Sequence, residues 1–167
     1  SASGIIPADR DYLTRLRDLC TQHGTVLIFD EVITGFRVHP GGAQAYFEVT
    51  PDLAIFAKAL GGGLPIAALA GRADLMMEFT RGTVHSGTYN ASALVMAGTR
   101  AALEHLYADN GAVLDRAHDA GRRLSEELEA LAEGYGLSLQ LRGVNTVFST
   151  SFVPSTADPI TDMRSAQ

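Results

Sequence analysis

A helix, a glycine and an apolar strand follow one another between Pro7 and Asp30, and this order constrains the fold more than any other part of the sequence. Apolar residues recur from Pro7 to His23 at the i, i+3, i+4 and i+7 spacing of a helix face, and Gly24 suits the end of that helix. Residues 25–29 then form an apolar run that is typical of a strand buried on both faces. The pattern predicts an α/β fold, because it is half of a right-handed α/β unit.

Later segments extend this pattern. Two further apolar runs predict strands that are buried on both faces, at residues 53–57 and 66–70. Residues 34–51 are rich in turn formers and predict a loop with one helical turn near residues 44–47. Helices are predicted at 74–79, at 91–107 with Asn90 or Ser92 as its cap, and at 112–133, and strands at 137–141 and 146–152. The turn residues at 109–111 predict a boundary between a domain at 1–108 and another at 109–167.

Composition narrows the class of function. The net charge is −6 and the hydrophobic share is 46%, so the sequence has neither the basic surface of a nucleic-acid binder nor the composition of a disordered chain. No apolar run is long enough to span a membrane, no signal peptide is recognised at the start, and the single cysteine, Cys20, rules out an intrachain disulfide. These features predict a cytoplasmic protein with small-molecule partners, no nucleic acid and no membrane. Because it opens without methionine and stops soon after a strand-like run, the chain is also expected to be a piece of a longer protein.

The chain contains one lysine, Lys58, against twelve arginines. It follows an apolar strand-like run and precedes three consecutive glycines at residues 61–63. A lysine amine can lose its proton and condense with a carbonyl, whereas a guanidinium stays protonated. A solvated surface lysine in an arginine-rich chain remains the alternative.

Asp30 stands at the carboxyl end of the first predicted strand, where ligands bind in open α/β sheets. A turn-forming role for Asp30 is the alternative. The pair Asp30-Glu31 also imitates the Walker B strand of a nucleotide hydrolase, but the lone lysine does not stand in the Gly-Lys-Ser/Thr context of a phosphate loop. A carboxylate after one strand and a lysine after the next suit pyridoxal phosphate, which has a carbonyl at one end and a basic ring nitrogen at the other.

The motifs around these two residues closely resemble class III pyridoxal-phosphate aminotransferases. The resemblance rests on an ordered set of motifs, and within the class the chain is most similar to the glutamate-1-semialdehyde 2,1-aminomutase-like members. The motifs are Leu27-Ile28-Phe29-Asp30-Glu31-Val32-Ile33-Thr34-Gly35-Phe36-Arg37, Gly41-Gly42-Ala43-Gln44, Pro51-Asp52-Leu53, Phe56-Ala57-Lys58-Ala59-Leu60-Gly61-Gly62-Gly63-Leu64-Pro65 and His85-Ser86-Gly87-Thr88-Tyr89-Asn90.

This resemblance assigns roles to five residues. It implies that Lys58 is the catalytic lysine that forms the Schiff base, and that Asp30 pairs with the pyridine nitrogen. Val32 corresponds to the aliphatic residue against the ring face, and Gly87 and Thr88 to the pair that binds the cofactor phosphate of the neighbouring subunit.

The resemblance leaves other motif positions without a catalytic role. Glu31 and Gln44 are interpreted as hydrogen-bonding residues and His85 as a loop residue. Ser92-Ala93 stands where the family usually has Asn-Pro, so the start of that helix is expected to differ.

The resemblance also implies a fold and a reaction. The fold is fold type I of pyridoxal-phosphate-dependent transferases: residues 1–108 would be the latter part of the large mixed-sheet domain, and residues 109–167 the start of the small carboxyl-terminal α+β domain. The reaction is amino transfer through Lys58, either within one molecule or between an amine donor and a keto or aldehyde acceptor, in a homodimer that shares its active sites. A non-catalytic fragment or interaction module with a vestigial site is the alternative, and a nucleotide hydrolase a remote one.

Overall fold

The strands of the chain lie in two separate sheets. The computed structural model describes residues 5–154 and 159–161, so most of the unassigned tail after Pro154 lies outside the described residues. The strands are β1 (Ile28–Asp30), β2 (Leu53–Phe56), β3 (Ala68–Gly71), β4 (Leu139–Val144) and β5 (Val147–Phe152). The α-helices are α1 (Arg10–Gln22), α2 (Gly42–Tyr46), α3 (Ala73–Met76), α4 (Ala93–Tyr107) and α5 (Ala112–Gly134).

The first sheet is mixed, as the fold prediction requires. Its order is β1-β2-β3; β1 and β2 are parallel, and β2 and β3 are antiparallel. The second sheet is the antiparallel hairpin β4-β5. Each predicted strand and helix is present with shifted ends, and the predicted helix at 74–79 is split into α3 and a 3₁₀ turn at Met77–Thr80. No helix in the described part of the chain is long and apolar enough to cross a membrane.

The expected burial of the first sheet on both faces is wrong for the described residues. Ile28 in β1 is 51% exposed and Ile55 in β2 is 37% exposed, whereas Ala54 is buried. The two long helices do not cover these strand residues, because α4 packs against the turn at Lys58–Gly61 and α5 packs against α4 and β4. Apolar residues on the uncovered parts of the strands are therefore left in contact with solvent.

The first strand starts later than its apolar run because the N–H of Leu27 is bonded to a side chain instead of to β2. Its N–H donates to the Asp52 carboxylate at 2.8 Å, and its carbonyl accepts from the N–H groups of Asp52 and Leu53. The ladder with β2 therefore begins at Ile28.

Helix α4 begins directly after Ser92, one of its two predicted cap residues, but without a capping hydrogen bond. Ser92 is the N-cap residue, and its side chain makes no capping hydrogen bond. Between α4 and α5, the residues Asp109, Asn110 and Gly111 all have left-handed backbone angles. This turn lies where the domain boundary is predicted.

Asp52 stands directly before β2 and connects it with α1, β1 and β3 at the amino-terminal end of the parallel strands. Its carboxylate accepts from the Leu27 N–H at 2.8 Å, from Arg17 of α1 at 2.8 Å and from Arg72, next to β3, at 2.9 Å. The Leu27 amide and then the two guanidinium groups hold the pKa of this carboxyl well below its usual range. Asp52 is 6% exposed, so its bonds are shielded from water.

Asp52→Asn is expected to lower the melting temperature at neutral pH by about 5 °C or more, because it removes one charge from two arginine pairs. A depressed carboxyl pKa stabilises the folded state above the unfolded Asp pKa of about 3.9, and this stabilisation is lost as the pH falls below that value. Thermal melts of the wild type from about pH 5 to about pH 2 should therefore approach those of Asp52→Asn progressively as the pH falls toward the lower pKa of the folded state. Asp18→Asn, the same change at an exposed α1 position, is the control. Parallel curves for wild type and Asp52→Asn across this range would contradict the assignment.

Candidate functional site

Asp30 and Lys58 lie at the same edge of the first sheet. Asp30 is the last residue of β1 and is in register with Ile55 of the parallel strand β2. Lys58 follows Ile55 by three residues, directly after β2 ends at Phe56 and the chain passes Ala57. The carboxyl ends of parallel strands meet at one edge, which is where ligands bind in sheets of this kind. Both residues thus stand at or just after strand ends, as the apolar runs before them predict.

Lys58 has a backbone conformation that lysine rarely adopts. It opens the 3₁₀ turn Lys58–Gly61 with a φ of 46°, in the left-handed region that costs a side chain with a Cβ. Its side chain is exposed, and no hydrogen bond or ion pair joins its amine to any described residue. Strained residues of this kind cluster at functional sites, where surrounding structure holds them. Lys58 is thus presented as a free amine on a constrained turn.

A cavity of about 420 Å³ lies beside Lys58. Phe36 and Arg37 form one wall of it, and Phe36 also has a left-handed backbone, with a φ of 60°. The two long helices also line it, through Leu106, Val113, Leu114 and Ala117. The charged residues that line it, Arg37 and Lys58, are both basic. The surroundings therefore favour an anionic or electron-rich group near Lys58.

Asp30 lines a different cavity, of about 350 Å³, whose walls are mostly apolar. Its Oδ1 accepts from the Val32 N–H at 3.0 Å, which shapes the turn after β1. The Asp30 carboxylate is exposed, and its Oδ2 accepts no hydrogen bond from any residue in the described ranges. The structure therefore brings Asp30 and Lys58 to one edge but not into one cavity. Val32 is half-buried and lines neither cavity.

Gly87 and Thr88 line neither of these two cavities. They belong to the segment at 81–90, in which every residue is exposed. Its apolar side chains are exposed as well, with Val84 at 85% and Tyr89 at 84%. The His85 ring packs against Phe79 at a centroid distance of 5.2 Å, which agrees with its interpretation as a loop residue.

Glu31 makes a set of hydrogen bonds that the sequence alone does not reveal. It is 1% exposed, and its carboxylate accepts from Thr34 Oγ1, from the N–H groups of Ala43 and Gln44, and from Gln44 Nε2. The hydrogen-bonding interpretation of Glu31 and Gln44 is therefore confirmed. The sequence does not mark Phe36 and Arg37 as site residues, because nothing in their spacing shows that they lie beside a lysine 22 and 21 positions later.

The donor set suits pyridoxal phosphate. The cofactor requires an amine that can reach its carbonyl and a carboxylate that can pair with its ring nitrogen. Lys58 offers the amine without a competing partner, and Asp30 offers a carboxylate oxygen that is free among the described residues. No group of three or more His, Cys, Asp or Glu side chains in residues 5–154 and 159–161 could hold a metal ion.

Comparisons with known proteins agree with this geometry. Residues 1–165 match the family described as aminotransferase class-III. The chain is 41% identical, over 98% of its length, to a glutamate-1-semialdehyde 2,1-aminomutase from Nitratidesulfovibrio vulgaris, of which it covers 38%. It superposes with a TM-score of 0.89 on an omega-transaminase from Sphaerobacter thermophilus, at 34% identity, covering 99% of this chain and 37% of that one. A transaminase solved with PLP bound is similar over 92% of this chain and 36% of its own, with a TM-score of 0.81 and 30% identity.

These similarities define an α/β fold with the mixed sheet of fold type I, the fold of pyridoxal-phosphate-dependent transferases. The chain belongs to the class III aminotransferase family. It spans a little over a third of the length of the relatives it matches. The nucleotide-hydrolase alternative is removed, because the family match places the Asp30-Glu31 pair in an aminotransferase sequence.

Proposed function

We propose that the protein containing this chain transfers amino groups with pyridoxal phosphate, and that Lys58 carries the reaction. The observation that carries this proposal is the position of Lys58 and Asp30 at the ends of two neighbouring parallel strands. Family membership and the aminomutase and transaminase relatives support it.

The cofactor, when bound, supplies an electron-accepting ring that stabilises negative charge on a substrate carbon. Lys58 would hold the cofactor through its carbonyl end, and the freed Nζ would move a proton to or from the substrate carbon as a general base and acid. Asp30 would hold the ring-nitrogen end by a charge-assisted hydrogen bond that keeps its proton in place. Val32, two residues after Asp30, would pack against the ring face.

Two amino-transfer reactions suit this site. One moves the amino group within a single molecule, as the name of the aminomutase relatives states for glutamate-1-semialdehyde. The other moves it from an amine donor to a keto or aldehyde acceptor, as in the transaminase relatives. Both require the same proton transfers by Lys58, so the lysine and Asp30 do not distinguish them.

We also propose that the protein is a cytoplasmic homodimer whose active sites are shared. The exposed segment at 81–90 supports this, since Gly87 and Thr88 do not line the Lys58 cavity and the apolar side chains of Val84 and Tyr89 beside them are exposed. The division at residue 108 is part of the same proposal. It is supported by the left-handed turn at 109–111 and by the separate β4-β5 sheet.

Incubation of the protein from its complete reading frame with pyridoxal phosphate and glutamate-1-semialdehyde tests the function. We expect the isomer with the amino group moved from carbon 2 to carbon 1, detected by chromatography and mass spectrometry. A parallel reaction with an amine donor and a keto acid measures transfer between molecules. A protein that binds the cofactor but catalyses neither reaction would support the vestigial-site alternative.

A further inference from the structure

Glu31 is a buried carboxylate at the start of the loop that follows Asp30 and includes Phe36 and Arg37 of the Lys58 cavity. Its Oε2 accepts from Thr34 Oγ1 and the Ala43 N–H, each at 2.7 Å, and its Oε1 accepts from the Gln44 N–H at 2.8 Å. Ala43 and Gln44 lie in the first turn of α2, whose Gly41 cap makes no side-chain hydrogen bond. Glu31 therefore caps this helix from twelve positions upstream.

The backbone of Glu31 is held as firmly as its side chain. Its N–H donates to the Ile55 carbonyl of β2 at 2.9 Å, and its carbonyl accepts from the Gly35 N–H at 2.9 Å. Ile55 stands three residues before Lys58, and Gly35 directly precedes Phe36. One residue thus connects the strand end that bears Asp30, the strand that leads to Lys58 and the turn that forms the cavity wall.

Two glycines show how closely this region is packed. A Cβ on Gly42, whose φ is 74°, would lie 2.6 Å from Oε2 and 2.7 Å from Oε1 of Glu31. A Cβ on Gly35 would lie 2.6 Å from the Phe56 ring and 2.7 Å from the Glu31 carbonyl oxygen. Neither neighbour can give way easily, because one is the bonded carboxylate and the other is backbone. The loop at 34–44 is therefore fixed relative to Glu31.

We infer that Glu31 is a positioning residue for the proposed site: its carboxylate holds the loop at 34–44 so that Phe36 and Arg37 stay beside Lys58 and Asp30 stays at the sheet edge. This inference rests on the proposed function. Glu31 touches no reacting group and acts through its neighbours. Its loss would displace Asp30 from the cofactor ring, which weakens the stabilisation of the protonated forms.

Glu31→Gln tests this role in the protein from its complete reading frame. The amide keeps the shape but presents an N–H₂ group to donors that need an acceptor, so at least one oxygen loses its bonds. We expect turnover of the reaction catalysed by the wild type to fall by about 10- to 100-fold, the scale of a displacement near 1 Å. The pH midpoint of the visible absorbance of bound cofactor should move down by about half a unit or more, because the Asp30 charge is farther away.

Asp52→Asn is the matched control, since it disturbs another buried carboxylate with a backbone and two side-chain donors at the opposite end of the same strands. It should lower stability and leave turnover and the absorbance midpoint as in the wild type. If Glu31→Gln does not fold, Thr34→Val removes a single donor to Oε2 and should change both readouts in the same direction by a smaller amount.

The outcomes separate the two ideas. A wild type that forms no absorbing bond with the cofactor overturns the proposed function, and the positioning role with it. If the wild type forms the bond, and Glu31→Gln or Thr34→Val has the same absorbance midpoint and turnover as Asp52→Asn, the positioning role alone is overturned.

Discussion

Lys58→Ala is expected to lower amino transfer by at least about 1,000-fold, because it removes both the group that bonds to the cofactor and the group that moves the proton. Borohydride should then trap cofactor on the Lys58 peptide of the wild type and leave that peptide unmodified in the variant. Lys58 is the only lysine of the chain, so a mass change on a lysine within these residues can be assigned to Lys58 alone.

Lys58→Arg is the matched control for charge. Arginine keeps the positive charge next to Arg37 but cannot lose its proton to attack a carbonyl, so this variant should be as inactive as Lys58→Ala. It should retain more affinity for the anionic cofactor, measured by equilibrium dialysis. Turnover within a factor of about ten of the wild type in either variant would show that Lys58 takes no part in the reaction.

Asp30→Asn is expected to leave cofactor binding largely intact and to reduce turnover by about 100- to 1,000-fold, the usual scale for losing one group that stabilises transition-state charge. Asparagine can still accept the 3.0 Å hydrogen bond from the Val32 N–H, so the turn after β1 is preserved. The substitution therefore removes the charge with little change in shape. Steady-state kinetics and the affinity for pyridoxal phosphate measure the two effects separately.

Asp30→Glu restores the charge on a longer side chain and should recover part of the activity. A turnover of Asp30→Asn equal to that of the wild type would refute the pairing with the ring nitrogen. Loss of turnover in Asp30→Glu with wild-type turnover in Asp30→Asn would assign the effect to shape instead of charge.

The positions of Asp30 and Lys58 could be predicted because they follow from strand ends. An apolar run shows where a strand stops, and parallel neighbours place their carboxyl ends together, so two local patterns locate both residues. Burial of the strands could not be predicted in the same way. Apolar residues in β1 and β2 would suit two covered faces, but cover depends on which helices pack there, and α4 and α5 pack elsewhere.

The roles of Glu31, Phe36 and Arg37 depend on contacts between distant parts of the chain. The bonds of Glu31 to α2 cross twelve and thirteen positions, and the cavity beside Lys58 joins a loop at Phe36 to helices beyond residue 100. Periodicity and spacing report only local geometry, so they do not reveal such contacts. An acidic residue directly after a strand indicates a hydrogen-bonding role, but the sequence does not show which donors bind its carboxylate.

The left-handed backbone at Lys58 lowers the stability of the fold at the residue that the proposed activity requires. A residue with a Cβ pays roughly 1–2 kcal/mol in this conformation, whereas glycine avoids that cost and loses about 0.5–1 kcal/mol through its greater freedom when unfolded. Lys58→Gly should therefore melt at the same temperature as the wild type or a few degrees above it. Selection for heat resistance alone would accept glycine at this position, and the variants it kept would have lost their only lysine.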